Sequence, residues 1–242
     1  MSLAEIVDIR GCGERRSLRC GACKGLFGSL SEDERAALER MRRQSSFASK
    51  ELVFAQGDAA SRVFSLSEGV ARIYKLLPDG RRQVTGFALA GDFLGLTLME
   101  HHALTAEAIE PTVACSFPRA AFRRLIDGNL VALRRMNQLV TQELATAHER
   151  MMMLGRYTAE EKMAAFLLTW RERQGGRGEA ADITPLPMSR RDIADYLGLT
   201  IETVSRTFTK LERAGVVEIV AGGARIADEA RAHQLATAST TG

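Results

Sequence analysis

The stretch "MSRRDIADYLGLTIETVSRTFTKLERAGVVEIV", residues 188–220, carries the plainest fold signal in the chain. Ser189 and Thr200 stand where helix N-caps belong, and Gly198 and Gly215 stand where the two helices would end. The apolar residues that would pack these short helices together are Ile193, Ala194, Leu197, Leu199, Val204, Phe208 and Leu211. The runs "VVEIV" and "ARIA" flank "AGG", which predicts a β-hairpin. This order of helix, turn, helix and wing predicts a DNA-reading domain.

The second helix of this stretch presents a polar face that is suited to reading base edges. Glu202, Ser205 and Arg206 follow the i, i+3, i+4 spacing of one helix face. Arg206 can donate two hydrogen bonds to guanine, Glu202 can accept one from cytosine, and Ser205 offers a hydroxyl. The other predicted DNA contacts, several of them to phosphate, are Arg190, Arg191, Thr200, Thr209, Lys210 and Arg213. The alternative is a solvated helix face with a chance Glu–Arg pair.

Charge, apolar content and cysteine count limit the classes of function that the chain can have. The chain has 242 residues and a net charge of +3, and from residue 156 onward acidic and basic residues are equal in number, so a nucleic-acid surface must be local. No segment approaches the ~20 apolar residues of a membrane span, and the N-terminus lacks a signal-peptide pattern. We therefore expect a cytoplasmic protein with no membrane partner, whose four cysteines favour metal or redox chemistry over disulfides.

Residues 51–117 are typical of a small β-domain. Short β-prone runs alternate with turn residues, and the glycines that punctuate them are Gly57, Gly69, Gly80 and Gly91. Regularly spaced short strands indicate a β-sandwich or jelly roll. The run before them, "SLSEDERAALERMRRQ" (residues 29–44), is predicted to form a short helix with Ser29 or Ser31 as its N-cap.

A long helix is predicted to begin at Asn129. Its apolar positions step alternately by three and four residues, which is the a/d pattern of a coiled-coil seam, and a single polar Asn137 can fix register and strand number. We predict that two chains associate along the seam Leu130, Leu133, Asn137, Val140, Leu144, Ala147, Met151 and Leu154. The alternative is a core helix that packs only on its own β-domain.

Three motifs carry a family resemblance. "VTGFALAGDFLG" (84–95), "AEEKMAAFLL" (159–168) and "LTIETVSRTFTKLERAGV" (199–216) resemble the FNR branch of the CRP/FNR transcription regulators. The likeness runs from about Phe27 to Ala227. It implies an α+β chain with four parts, which are a cysteine-rich segment (1–28), a jelly-roll β-roll of the cyclic-nucleotide-binding type (29–127), a dimerisation helix (128–155) and a winged helix-turn-helix (156–242).

The resemblance also implies a function. The FNR branch usually carries Glu-x-x-Ser-Arg on its recognition helix, whereas the cyclic-AMP branch has glycine at the position of Ser205. A homodimeric activator without enzymatic activity is implied, which binds a TTGAT-N4-ATCAA-like palindrome in double-stranded DNA and contacts RNA polymerase. The loop "LLPDGRRQ", residues 76–83, is one candidate for the polymerase contact. Some members carry an acidic residue in mid-seam where this chain has Ala147, so we expect a more stable apo dimer here.

The same resemblance supplies a role for the cysteines. Oxygen-sensing FNR proteins hold a [4Fe–4S] cluster with three N-terminal cysteines and one from the β-roll, which implies ligation by Cys12, Cys20, Cys23 and Cys115. The arginines and the lysine around the first three would favour thiolates. The C-x7-C-x2-C order departs from the C-x2-C-x5-C order of enterobacterial members and looks like the alphaproteobacterial one. This departure keeps the ligand set and can change the oxygen sensitivity.

Other uses of the thiols stay open on the sequence alone. The spacing of the four cysteines also allows a structural zinc site with four thiolate ligands, in which case the regulator would bind DNA without iron. Cys20 and Cys23 can form a redox dithiol, although no βαβ pattern surrounds them. Cys115 can be a buried core thiol, as a lone cysteine in a strand often is.

Cyclic-nucleotide and haem sensing receive less support. A nucleotide phosphate needs an arginine to bind it, and none lies between Asp92 and Arg119. His101 and His102 could ligate haem, but adjacent histidines in a polar loop are expected to be solvated. An enzyme is not indicated, because the chain has no nucleophile–base spacing and no phosphate-binding glycine loop.

Overall fold

The computed structural model describes residues 6–7, 30–97, 99–175 and 183–237. The chain divides into two compact units, one that ends at Ala147 and one that begins at His148. The predictions made for Cys12, Cys20 and Cys23 lie outside the described residues.

The first unit is a sandwich of two antiparallel sheets with helices on one side. Its sheets have the strand orders β1-β7-β4-β9-β2 and β3-β8-β5-β6. The strands are β1 (Ile6–Val7), β2 (Arg43–Phe47), β3 (Leu52–Phe54), β4 (Arg62–Glu68), β5 (Val70–Leu76), β6 (Arg82–Leu89), β7 (Phe93–Leu94), β8 (Thr105–Ala108) and β9 (Thr112–Pro118). Its helices are α1 (Glu32–Met41) and α2 (Arg119–Gly128), and the long α3 (Leu130–Arg156) begins in this unit and ends in the second. The predicted β-roll is confirmed.

Two apolar clusters hold this unit together. Small and branched side chains fill the space between the sheets, among them Leu66, Ile73 and Ala114. Larger side chains join the first sheet to the helices, and Phe93 and Phe117 are fully buried there. Each such phenylalanine contributes about 1.5–3 kcal/mol on burial.

The N-terminal helix is shorter than the sequence predicts. Ser31 is its N-cap and forms a capping box with Glu34, as expected. The helix ends at Met41, and Arg43 and Gln44 belong instead to β2, where they pair with Ser116 and Cys115 of β9. Pairing with a strand that lies 71 to 73 residues further along the chain overrides the local helical preference.

The long helix α3 has two apolar faces. The side-chain oxygen of Asn129 accepts the N–H groups of Val131 and Ala132 at 3.1 and 3.0 Å, which caps the first turn. Ala132 and Leu139 are buried in the core of the first unit. Five of the predicted seam residues are 41–61% exposed, namely Leu130, Val140, Leu144, Met151 and Leu154. Of the rest, Asn137 is exposed, Ala147 is half-buried, and Leu133 packs partly against the unit's own core.

The second unit is a winged helix-turn-helix, as predicted. Its elements are α4 (Ala159–Arg173), β10 (Thr184–Pro185), α5 (Arg190–Leu197), α6 (Ile201–Arg213), β11 (Val217–Val220), β12 (Gly223–Ile226) and α7 (Glu229–Thr237). The predicted hairpin is β11–β12, and β10 adds a third strand beside β12 that the sequence analysis did not predict.

Candidate nucleic-acid interface

Local hydrogen bonds and one glycine determine where α5 and α6 begin and where α5 ends. The Ser189 hydroxyl accepts the N–H of Asp192 at 3.1 Å, and the Asp192 carboxylate accepts the N–H of Ser189 at 3.0 Å. Thr200 caps α6 by accepting the N–H of Thr203 at 3.1 Å. Gly198 ends α5 with φ of +64°, a conformation that favours glycine. A Cβ there would also lie 3.2 Å from Leu154, so the turn needs a glycine on two counts.

The buried side chains of the two helices then fix which face of α6 points outward. The residues of this core, each at most 2% exposed, are Ile193, Ala194, Leu197, Val204, Phe208 and Leu211. All six were predicted to face inward from the spacing of apolar residues. Because Val204, Phe208 and Leu211 occupy one side of α6, the opposite side of that helix faces solvent.

The outward face of α6 brings the predicted reading residues together. Glu202, Ser205 and Arg206 are all exposed, as are Thr200, Thr209 and Lys210. An open groove is lined by Ser205, Arg206, Thr209, Lys210 and Arg213. The structure therefore unites five of the predicted DNA contacts on one continuous surface.

The polar groups of this face are partly preorganised. The Ser205 hydroxyl donates to the carbonyl of Ile201 at 3.0 Å, and Arg206 Nε donates weakly to the carbonyl of Glu202 at 3.4 Å. A backbone N–H bond, a hydrogen bond from Thr200 and the charge of Arg206 lower the pKa of the Glu202 carboxyl. Glu202 therefore stays ionised, as an acceptor for a base amino group must.

The two arginines at the start of α5 have different surroundings. Arg191 is exposed. Arg190 lies over the ring of Phe208, with its guanidinium carbon 3.4 Å from the ring centroid, and its buried Nη1 has no hydrogen-bond partner among the described residues. Burial lowers the pKa of the Arg190 guanidinium. Arg190 thus packs on the core of the unit, and its phosphate contact stays a prediction.

Two features of this surface were missed from the sequence. Ile201, the first residue of α6, is 42% exposed beside Glu202, where an apolar side chain can contact a thymine methyl. Its position immediately after the N-cap and off the core spacing was the available signal. In addition, the Glu212 carboxylate accepts the N–H of Ile219 at 3.2 Å, which ties the end of α6 to the wing.

Comparison with known proteins agrees with this architecture. Residues 44–129 match the cyclic nucleotide-binding domain family, and residues 161–231 match the Crp-like helix-turn-helix domain family. The nitrogen fixation regulation protein FixK of Bradyrhizobium diazoefficiens is 50% identical over 227 residues, which cover 94% of this chain and 93% of that protein. The chain belongs to the CRP/FNR family of transcription regulators. It is a DNA-binding regulator and not an enzyme.

Further CRP/FNR relatives point the same way. The transcriptional activatory protein AadR of Rhodopseudomonas palustris is 46% identical over 228 residues, which cover 93% of this chain and 95% of that protein. The solved structure of FixK2 from Bradyrhizobium japonicum superposes with a TM-score of 0.74 at 36% identity, covering 80% of this chain and 96% of that one. None of the helices within the described ranges is long and apolar enough to cross a membrane.

Cys115 is the one predicted cluster ligand that lies among the described residues. It is half-buried on β9, on the face that packs toward the helices, and Arg42 Nη1 donates to its sulfur at 3.2 Å. This bond is the largest of the effects that raise the pKa of the Arg42 guanidinium. Within residues 30–97, 99–175 and 183–237, no three His, Cys, Asp or Glu side chains are grouped as metal ligands would be. The four-cysteine ligand set therefore stays a prediction.

The histidine pair differs from expectation. His101 is exposed, but His102 is only 4% exposed and stacks on the ring of Phe54 with 3.9 Å between centroids. The prediction that both are solvated is wrong for His102, because the loop folds back and its backbone bonds to Gly57 and Asp58.

Asp92 and Arg119 mark the two ends of the stretch in which the sequence has no arginine for a nucleotide phosphate. Both side chains form hydrogen bonds with the backbone of the β-roll. Asp92 is buried and accepts the N–H of Leu89 at 2.8 Å. The Arg119 guanidinium donates to the carbonyls of Thr97 and Met99. Both side chains therefore hold turns of the β-roll in place.

Proposed function

We propose that this CRP/FNR regulator is a homodimeric activator that binds a palindromic, TTGAT-N4-ATCAA-like DNA site through α6 and senses oxygen through a [4Fe–4S] cluster. The observation that carries the DNA-reading part is the exposed Glu202, Ser205 and Arg206 face, held outward by the core behind it. Phosphate contacts from the cations around this face would position the helix, and contacts with base edges would give the specificity.

The exposed seam of α3 supports the homodimer. A helix that keeps Val140, Leu144 and Met151 more than two-fifths exposed gains stability when a second copy covers them. The a/d spacing of the seam suits one partner helix at a small crossing angle. A two-fold dimer would present two α6 helices, which matches the two half-sites of a palindrome.

Replacement of Arg206 tests sequence reading. Arg206→Ala should cost about 1–3 kcal/mol on the palindrome and should no longer discriminate against sites in which the half-site guanine is replaced. The measurement is a competition titration with the palindrome and its guanine-substituted versions. An equal loss of affinity on every sequence would show that Arg206 contacts only phosphate.

The surroundings of Cys115 support the sensor. Arg42 Nη1 donates to the Cys115 sulfur at 3.2 Å, so a cation lies where it would offset the negative charge of a cluster held by this sulfur. Cys12, Cys20 and Cys23 would supply the other three thiolates of an all-cysteine site. A bound [4Fe–4S] cluster supplies a core that oxygen can destroy, which would make DNA binding depend on the oxygen concentration. RNA polymerase is the expected protein partner of an activator.

The sensor is tested by purification without oxygen, followed by visible absorbance and by iron and sulfide analysis. Wild type should contain both iron and sulfide, lose them in air, and lose affinity for the palindrome with them. Cys115→Ser should retain neither, because the site would have only three thiolates and the chain has no further cysteine to replace the fourth. Cys115→Ser protein that keeps its iron and sulfide would assign the fourth ligand elsewhere. Stoichiometric zinc with air-stable DNA binding would support the zinc alternative.

A further inference from the structure

One cation of the groove on the outward face of α6 already forms an ion pair with another side chain of the same protein. Lys210 lies one helical turn after Arg206 on α6 and is 69% exposed, yet its Nζ lies 2.7 Å from Glu160 Oε1 of α4. The Glu160 side chain is 27% exposed, so it is the more enclosed partner. The pair therefore sets an acidic group at the edge of a surface that has to meet phosphates.

The start of α4 holds Glu160 where it is. The N–H of Thr158 donates to the Glu161 carboxylate at 2.8 Å, and the Thr158 hydroxyl accepts the N–H of Glu161 at 3.4 Å. Glu160 sits on this capped first turn, where the helix dipole favours a negative side chain. The carboxylate is thus anchored to a fixed element, whereas Lys210 is a long side chain that can turn to another acceptor.

A DNA phosphate and the Glu160 carboxylate offer Lys210 the same kind of charge-assisted hydrogen bond. A phosphate that approached the ammonium while it remains paired would come close to a like charge. DNA binding therefore either breaks the Lys210–Glu160 pair or leaves the phosphate close to the Glu160 carboxylate, which repels it. In both cases Lys210 contributes less than a free lysine to the release of counterions from DNA.

We infer that Glu160 is an intramolecular competitor of DNA phosphate for Lys210, and that it lowers the affinity of the α6 face for DNA of any sequence. This inference rests on the proposed DNA-reading role of α6. It assigns to Glu160, which lies outside the predicted contact set, the task of keeping sequence-independent binding weak. Specific binding then depends more on the base contacts of Glu202 and Arg206.

The test is Glu160→Gln in the full-length protein, titrated with random-sequence duplex DNA and with the palindrome at several salt concentrations. The variant should bind random DNA about two- to five-fold more tightly, which is the range expected for one exposed ion pair. The plot of log affinity against log salt should steepen by about 0.9. Glu229→Gln is the matched control, because it removes the same charge and a 2.6 Å pair with Arg171 away from the groove.

A second variant shows whether the effect passes through the lysine. In a Lys210→Met background, Glu160→Gln should change neither the affinity nor the salt slope beyond the Glu229→Gln control. Glu160→Asp, which keeps the charge but shortens the side chain, should give an intermediate affinity and covers the case in which Glu160→Gln lowers the melting temperature.

Three results would overturn the inference. An equal gain from Glu160→Gln and Glu229→Gln would show a general charge effect, and weaker binding by Glu160→Gln would show that the carboxylate positions Lys210 for DNA. Wild type without any affinity for DNA would remove the basis of the competition. Wild type that binds random DNA without preferring the palindrome would contradict the proposed function alone, and the competition would still be measured.

Discussion

Arg190 and Arg191 are neighbours in the chain, but only Arg191 faces solvent. Arg190→Ala should lower the free energy of unfolding of the second unit by about 1–2 kcal/mol, because the guanidinium stacks on Phe208 and its stem covers apolar surface. Arg191→Ala should leave stability unchanged, weaken DNA binding evenly across sequences and reduce the salt slope by about one. Urea unfolding and DNA titration of both variants make the comparison. Equal stability of the two variants would contradict the packing role of Arg190.

His102 should make the first unit sensitive to mild acid. Burial lowers the pKa of this imidazole, with nearby Asp58 opposing and Arg119 adding to the shift. The unfolded chain, with a pKa of about 6.5, therefore binds a proton more readily than the folded one. Stability from this group is present above the unfolded pKa and falls as the pH drops through about 6.5 toward the lower folded value.

The expected measurement is the free energy of unfolding from about pH 7.5 to 5.5. His102→Gln should flatten the decline seen in wild type, because the variant has no imidazole to protonate. His101→Gln is the control, since it removes an imidazole from the neighbouring, exposed position. A wild-type profile that matches His102→Gln throughout would show that protonation of His102 does not lower the free energy of unfolding.

At the scale of the element, α3 divides its surface between two tasks. Ala132 and Leu139 face the core of the first unit, whereas Val140, Leu144 and Met151 remain exposed. Ala147 lies in the same seam as the exposed residues and brings neither bulk nor charge to the predicted dimer contact. Two helices can therefore approach closely at this point without repulsion.

Ala147→Asp should weaken the apo dimer, because two like charges would meet in the seam as it closes. Ala145→Asp is the matched control, since Ala145 is exposed on another face of the same helix. Analytical ultracentrifugation of the apo protein should show a raised monomer–dimer dissociation constant for Ala147→Asp only. Apo wild type that is monomeric at micromolar concentration and unchanged by either substitution would contradict the prediction.

At the scale of the whole molecule, the division into two compact units predicts unfolding that is not a single transition. Trp170 is the only tryptophan of the chain, and it lies buried in the second unit with its Nε1 donating to Pro185 at 2.8 Å. Its fluorescence should follow the second unit alone, whereas far-ultraviolet circular dichroism follows both. The two urea curves should therefore have different midpoints.

A core substitution in one unit checks this assignment. Ile193→Val, at a position 1% exposed in the second unit, should cost about 0.5–1.5 kcal/mol and shift the fluorescence curve. It should move only part of the circular dichroism curve. Coincident curves in wild type, shifted together by Ile193→Val, would show that the two units unfold as one.

Much of the fold and of the reading face could be predicted from the amino-acid sequence, because the signals are local. Helix caps at Ser189 and Thr200 and the left-handed glycine at Gly198 depend only on neighbouring residues. The apolar spacing of α6 decides which side is buried, so the exposure of Glu202 and Arg206 follows from a period of 3.6 residues.

Contacts between residues far apart in the chain were decided only by the tertiary structure. The end of α1 at Met41 depends on pairing with β9, and the burial of His102 depends on its stacking with Phe54. The position of the Arg190 side chain depends on its contact with the ring of Phe208. The pairing of Lys210 with Glu160 joins residues 50 positions apart. Spacing along the chain carries no information about such partners, because packing brings them together only after the local elements have formed. The sequence by itself thus determined which residues α6 offers to DNA, and the tertiary structure decided which of those charges are already engaged.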